Sequence, residues 1–256
     1  MRQVGVILTA VTAVILCAFN VINNSIDNIS NDNDEKKVSK KSTATIDSTF
    51  ISFYKDSLYH TLALDEKGLD KKVFDNAIDG YFVLKSGNKI KNEVLSIVDF
   101  SVRSNIKRLY IIDMKNRKLL HHTLVSHGRN SGDVMASQFS NKPESFQSSL
   151  GFYITGETYI GSNGYSMRLT GVEKNFNNNA FDRAIVMHGA SYVSEELAKN
   201  TKRIGRSFGC PAVSVKEHKA IINDVKNGSC LFIYANNDHY LSHSPILRNM
   251  EKPDAL

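Results

Sequence analysis

The stretch GRSFGCPAV, Gly205 to Val213, sets a cysteine between two residues of tight backbone, Gly209 and Pro211. How that cysteine is used decides how the whole chain folds and works. An inert thiol belongs in an apolar core, where it packs as a small hydrophobe. A reactive thiol belongs in a loop, near cations and a histidine. The three cysteines of the chain are Cys17, Cys210 and Cys230, so a Cys210–Cys230 bridge is a third use. On the chain-entropy model such a loop closure stabilises by about 3 kcal/mol.

The compartment bears on that choice. MRQVGVILTAVTAVILCAFNVI opens the chain with a charge at Arg2 and an apolar run from Val4 to about Ile22. Residues 1–22 read as a signal peptide or, at close to the ~20 residues that span a bilayer, a membrane anchor. With Arg2 on the inside, the remainder lies outside the cytoplasm, in the periplasm or cell envelope. Residues 23–49 are polar and poor in aromatics, the composition of a flexible tether. The net charge of +6 suits an anionic partner. The densest basic patch, DEKKVSKK, is a solvated linker rather than a nucleic-acid site.

Residues 50–92 form a helical lead-in. Val73, Ala77, Tyr81 and Leu84 mark one helical stripe, and Gly87 suits a stop. From about Leu95 the pattern changes to short strands. RLYIIDM and KLLHHTLVSH flank a Lys115–Arg117 turn, and FYITGETYI and YSMRLTGV flank Gly161–Gly164, where Asn-Gly, both of which accept positive φ, signals a hairpin. RAIVMHG is apolar throughout, the mark of a strand buried on both faces. SVKEHKAIINDVKNG is a helix with a Ser214/Glu217 capping box and Ile221 and Val225 facing inward. SCLFIYAN is the final strand. The class is mainly β with short helices: a compact β-rich domain over 93–240 and a tail over 241–256.

A cysteine nucleophile needs a base, because a free thiol is only a few per cent ionised near neutrality. His60, His218, His239 and His243 lie on helices or in the tail and read as surface residues; His121 and His122 lie mid-strand and read as structural. His127 and His188 differ, since each ends a strand and precedes glycine. No Cys/His/carboxylate cluster has metal-ligand spacing, and no cofactor is expected.

MHGA (Met187–Ala190), followed by RSFGC (Arg206–Cys210) and preceded by SSLGFYITG (Ser148–Gly156), resembles the signature of the L,D-transpeptidase (YkuD-like) family over about Leu95 to Asn236. The match is closest to its murein L,D-transpeptidase catalytic domain branch. The resemblance implies a β-sandwich-like domain that works on peptidoglycan stem peptides. It implies an acyl-enzyme on Cys210, with His188 as general base then acid and a carbonyl near Gly189 fixing its tautomer. The amides of Gly209 and Cys210 would form the oxyanion hole, and Ser207 would sit at the family's Ser/Thr position. Release of a terminal D-alanine and attack by another stem's amine gives a 3→3 cross-link; water or a free D-amino acid gives carboxypeptidase or exchange activity. Two departures stand out. Phe208 replaces the family's usual histidine, and the usual arginine after the cysteine is missing. Arg206 and Arg183 are candidates to clamp a carboxylate in its place, and His127 and Arg129 to line the cleft with Phe208. A non-catalytic wall-binding domain held by a Cys210–Cys230 bridge is the remaining alternative.

Overall fold

The structure is a computed structural model and describes residues 51–249. The expected export segment and tether, with residues 250–256, lie outside the described residues. Among the described residues no helix is long and apolar enough to cross a membrane.

Two helices lead in: α1 over residues 51–61 and α2, Lys71–Ser86. Asp70 caps α2 by accepting from the Lys72 amide, and Gly87 closes it as expected. The stripe of Val73, Ala77, Tyr81 and Leu84 is buried, with Phe74 and Ile78 beside it. Tyr59 of α1 packs on Phe74, with ring centroids 5.3 Å apart, and Lys55 pairs with Asp79 across the two helices.

Eight strands follow: β1 Val94–Asp99, β2 Leu109–Asp113, β3 Lys118–Thr123, β4 Gly151–Gly161, β5 Gly164–Gly171, β6 Val186–Ala190, β7 Ala212–Ser214 and β8 Cys230–Tyr234. They form one sheet in the order β3-β2-β1-β8-β4-β5-β6-β7. The mainly β class with short helices and a helical preface is therefore what the chain adopts. The final strand does not add to an edge. β8 slots between β1, to which it runs parallel, and β4, to which it runs antiparallel. All five of its residues are buried, which explains the unbroken apolar run CLFIY. Phe232 of β8 stacks on Phe152 of β4 at 4.2 Å between centroids and forms the centre of the core.

Two local features add detail to the sequence reading. In the β4–β5 hairpin Gly161 pairs with Gly164, and of the turn residues only Gly164 takes positive φ, +71°. The expected hairpin forms, with the left-handed conformation confined to the glycine. Residues 241–249 do not trail away: α5 (Asp238–His243) and α6 (Pro245–Asn249) fold back. The Tyr240 hydroxyl donates to the buried Glu173 carboxylate at 2.9 Å, the Ser244 hydroxyl donates to it too, and Ile246 is buried.

Between β6 and β7 lies one short helix, α3 (Glu195–Thr201), capped by Ser194. The helix after β7, α4, runs from His218 to Val225. The Glu217 amide donates to Ser214 Oγ, as the capping box predicts. Its carboxylate does not return to the Ser214 amide: it accepts from the hydroxyls of Ser214 and Thr123, and the helix proper begins one residue later.

Candidate active site

The sheet brings the two halves of the motif together. β6 and β7 run parallel, with His188 opposite Ala212 and Gly189 opposite Val213. Cys210 enters β7 two residues before Ala212 and so falls beside Val186, whose amide donates to the Cys210 sulfur at 3.4 Å. Val186 and His188 share a face of β6, because side chains alternate along a strand. The thiol thus sits at the level of Val186, beside the strand that carries His188 two residues further on. The sulfur also contacts the Ala184 carbonyl at 3.8 Å. Ala184 sits at φ +53°, a backbone strain of the kind found at functional sites. Cys210 and Cys230 are both free, and Cys230 is fully buried in the core of β8. The bridged alternative is therefore overturned.

Burial pushes the Cys210 thiol up, opposed by the Val186 amide and the charge of Arg183. The resting sulfur is protonated and donates to Ala184. His188 is also buried, and burial holds its imidazole below the usual histidine range, against the pull of the Gly189 carbonyl. That carbonyl lies 3.0 Å from Nδ1. A carbonyl only accepts, so Nδ1 carries the proton and Nε2 is the open base. The expected carbonyl near Gly189 is that of Gly189 itself.

His218, expected on the surface, is 7 % exposed and is part of this arrangement. Its ring packs where a Gly189 side chain would stand; a Cβ there would meet His218 Cγ at 2.7 Å. His218 Nδ1 in turn donates to the Val215 carbonyl at 2.7 Å. The two histidines thus pack against opposite ends of one glycine. The sequence did carry a signal, since positions 218, 221, 222 and 225 form one helical stripe and all four are buried.

The cysteine turn is stitched by Ser207. Its hydroxyl accepts from the Gly209 amide at 3.0 Å and donates to the Cys210 carbonyl at 2.7 Å. Gly209 sits at φ +120°, and a Cβ there would press on the Gln147 carbonyl at 2.8 Å, so only glycine fits. This corrects the expected oxyanion hole, because the Gly209 amide is already committed. The Cys210 amide has no protein acceptor among the described residues and is the donor left for a developing oxyanion.

The other expected residues divide. His127 does not line the cleft. It is fully buried behind the turn, where its carbonyl accepts the Ser207 amide at 2.9 Å. Its Nδ1 accepts from the buried Arg108 guanidinium at 2.8 Å. Burial first, and then Arg108, lower its pKa to about 4. Arg183 is no bidentate clamp either. Its guanidinium donates to the carbonyls of Ser140 and Gln147, each at 2.7 Å, and to the hydroxyls of Ser145 and Ser149. It ties the 140–149 segment down beside the cysteine turn. Arg206 donates to the Gly132 carbonyl at 3.0 Å and pairs with Asp133 at 3.4 Å. Phe208 is 63 % exposed and lies against Phe146 and Arg129. Among the described residues no three His, Cys, Asp or Glu side chains converge as metal ligands.

A family model described as L,D-transpeptidase catalytic domain matches residues 65–234. The chain belongs to this family. The match starts ahead of Leu95 and takes in α2. No curated protein matches the chain. Solved structures similar to it include an L,D-transpeptidase from Mycobacterium smegmatis at 14 % identity, covering 56 % of this chain and 59 % of that one with a TM-score of 0.35. Another is L,D-transpeptidase 3 from Mycobacterium tuberculosis in complex with a faropenem-derived adduct, at 12 % identity, 55 % and 60 % coverage and TM-score 0.34. A third is the L,D-transpeptidase from Xylanimonas cellulosilytica, at 12 %, 56 % and 61 %, with TM-score 0.32. The chain spans about three fifths of the length of these structures.

Proposed function

We propose that this L,D-transpeptidase domain is an exported cysteine acyltransferase that forms an acyl-enzyme on Cys210 with a peptidoglycan tetrapeptide stem. The observation that carries this is the β6–β7 register, which sets a free thiol beside the strand of a buried, neutral, oriented histidine. His188 Nε2 takes the thiol proton as the sulfur attacks the scissile carbonyl carbon. The oxyanion forms against the Cys210 amide. A hydrogen bond of this kind is typically worth about 3 kcal/mol in the transition state. Collapse breaks the C–N bond, and His188 returns the proton to the leaving D-alanine amine, giving a thioester. A neutral amine of a second stem then attacks the thioester carbonyl and gives a proton to His188; the C–S bond breaks, and His188 returns that proton to the sulfur, restoring the thiol. Catalytic hydrogen bonds often close only once substrate is bound, and a resting sulfur held on Ala184 is consistent with that.

Export is supported by Arg2 and the apolar run that follows it, read as a signal peptide or an anchor through residues 4–22. We take 93–240 as the catalytic domain and 50–92 as its helical support. Hydrolysis or D-amino-acid exchange through the same acyl-enzyme is the second reading, because water or a free amine can meet an exposed thioester.

The test is incubation with a purified tetrapeptide-stem muropeptide followed by mass spectrometry. Cross-linked dimers support transpeptidation and tripeptides support hydrolysis. Cys210→Ala abolishes both. Turnover surviving in that variant, or no covalent adduct on Cys210 with any stem peptide, overturns the mechanism.

A further inference from the structure

Arg129 differs from its neighbours near the cysteine turn. Arg183 and Arg206 spend their guanidinium donors on protein oxygens. Arg129 is exposed, and among the described residues its guanidinium has no protein acceptor. Yet it is held. Its carbon Cζ lies 4.2 Å from the Phe146 ring centroid and 4.6 Å from that of Phe208, and the two rings are 5.1 Å apart. Ring contacts of this kind fix a guanidinium without using its N–H donors.

The backbone beneath is fixed as well. The Arg129 amide donates to the Ser207 carbonyl at 2.7 Å, the Asn130 amide to the Phe146 carbonyl at 3.2 Å, and the Gln147 side chain to the Asn130 carbonyl at 3.0 Å. Phe146 stands at φ +53°, so the segment holds strain at the residue that presents the ring. Phe208 is only two residues from Cys210. In a bound stem the carboxylate of the leaving residue lies one residue, about 3.5 Å, beyond the scissile carbonyl.

We propose that Arg129, held by Phe146 and Phe208, is the residue that recognises a carboxylate of the stem peptide and so sets which peptide ends are accepted. The arginine is preorganised, its five donors form a planar fork, and a carboxylate is the planar acceptor that matches it. This deepens the acyltransferase proposal by assigning specificity at the same site. Two carboxylates fit that chemistry: the terminal one of the leaving D-residue and the side-chain one of a third-position diamino acid.

The test is designed to stand apart from turnover. Full-length Cys210→Ala protein, with and without Arg129→Gln or Arg129→Lys, is titrated with three synthetic tetrapeptide stems. The first has a diamino-dicarboxylic acid third and a free C-terminus, the second the same sequence with a C-terminal amide, and the third has lysine at position three. With Arg129 present, the free acid binds about 10- to 100-fold tighter than whichever analogue lacks the recognised carboxylate. Arg129→Gln erases that difference, while the other analogue shows which carboxylate is read. Arg129→Lys keeps only part of it, because a point charge cannot form the fork. Equal binding of all three stems to the Arg129 protein, binding of none, or a preference unchanged in Arg129→Gln overturns the proposal. Failure of the acyltransferase reading shows separately, as no adduct on Cys210 in the otherwise unaltered protein.

Discussion

Replacing Gly189 with alanine tests the link between the two histidines. The new Cβ would stand 2.7 Å from His218 Cγ, 2.8 Å from Nδ1 and 3.0 Å from Cδ2. These are atoms near the root of the ring, so a swing of the ring tip gives no relief. The ring can move only by giving up its 2.7 Å bond to the Val215 carbonyl. Overpacking of this kind costs about 1–3 kcal/mol, and a buried hydrogen bond left unmade costs a similar amount. Gly189→Ala is therefore expected to destabilise the fold by about 2–5 kcal/mol, unless the Gly189 carbonyl moves instead and releases His188. In either case the partner change His218→Ala removes the obstruction. The double variant should recover about 1–3 kcal/mol relative to additivity. Urea unfolding of the four proteins of this cycle measures it. A Gly189→Ala protein as stable as the parent, or a cycle with no coupling, refutes the packing of the His218 ring over Gly189.

Three further outcomes are expected. Burial raises the Cys210 pKa, so iodoacetamide labelling of Cys210 should titrate with a midpoint above the ~8.5 of a free cysteine; a midpoint below that value contradicts a protonated resting thiol. His127, neutral when buried with a pKa of about 4, binds a proton less readily folded than unfolded, where its pKa is about 6.5. Stability should thus fall on acidification through that window, by about 2 kcal/mol between pH 7 and pH 5. Denaturant midpoints at the two pH values, for the parent and His127→Gln, check this; an unchanged slope in the variant assigns the effect elsewhere. Arg183→Lys replaces a four-donor fork by a point charge and leaves carbonyls at Ser140 and Gln147 to compete for it. Limited proteolysis should then cut within 140–149 faster than in the parent, and equal rates speak against the anchoring role.

The part of this molecule written in local pattern was legible in sequence. The α2 stripe, the buried run of β6, and the placement of a thiol after one glycine and a histidine before another all rest on periodicity or on short-range backbone needs. What escaped depends on distant partners. Nothing near Arg183 announces that its acceptors lie 34 to 43 residues earlier. The commitment of the Gly209 amide to Ser207 could be drawn only once the turn was closed. His127 and His188 look alike in sequence, each placed just before a glycine. They differ because one meets a buried arginine and the other its own following carbonyl. His218 was the avoidable miss, since its helical stripe was in plain view.

The position of β8 has a consequence for how the chain comes into being. Synthesis proceeds from the amino end, so the strand that joins β1 to β4 is the last of the eight to arrive. Until it does, β1 and β4 each keep an unpaired apolar margin apt to pair with another molecule, and the two groups of strands are tied only where the segment after β3 meets the one entering β7, through Ser126–Ala212 and Gly128–Ser207. A chain stopped before residue 230 is accordingly expected to aggregate rather than fold, as sedimentation of such a truncation would show. The sheet becomes continuous from β3 to β7 only when β8 has emerged.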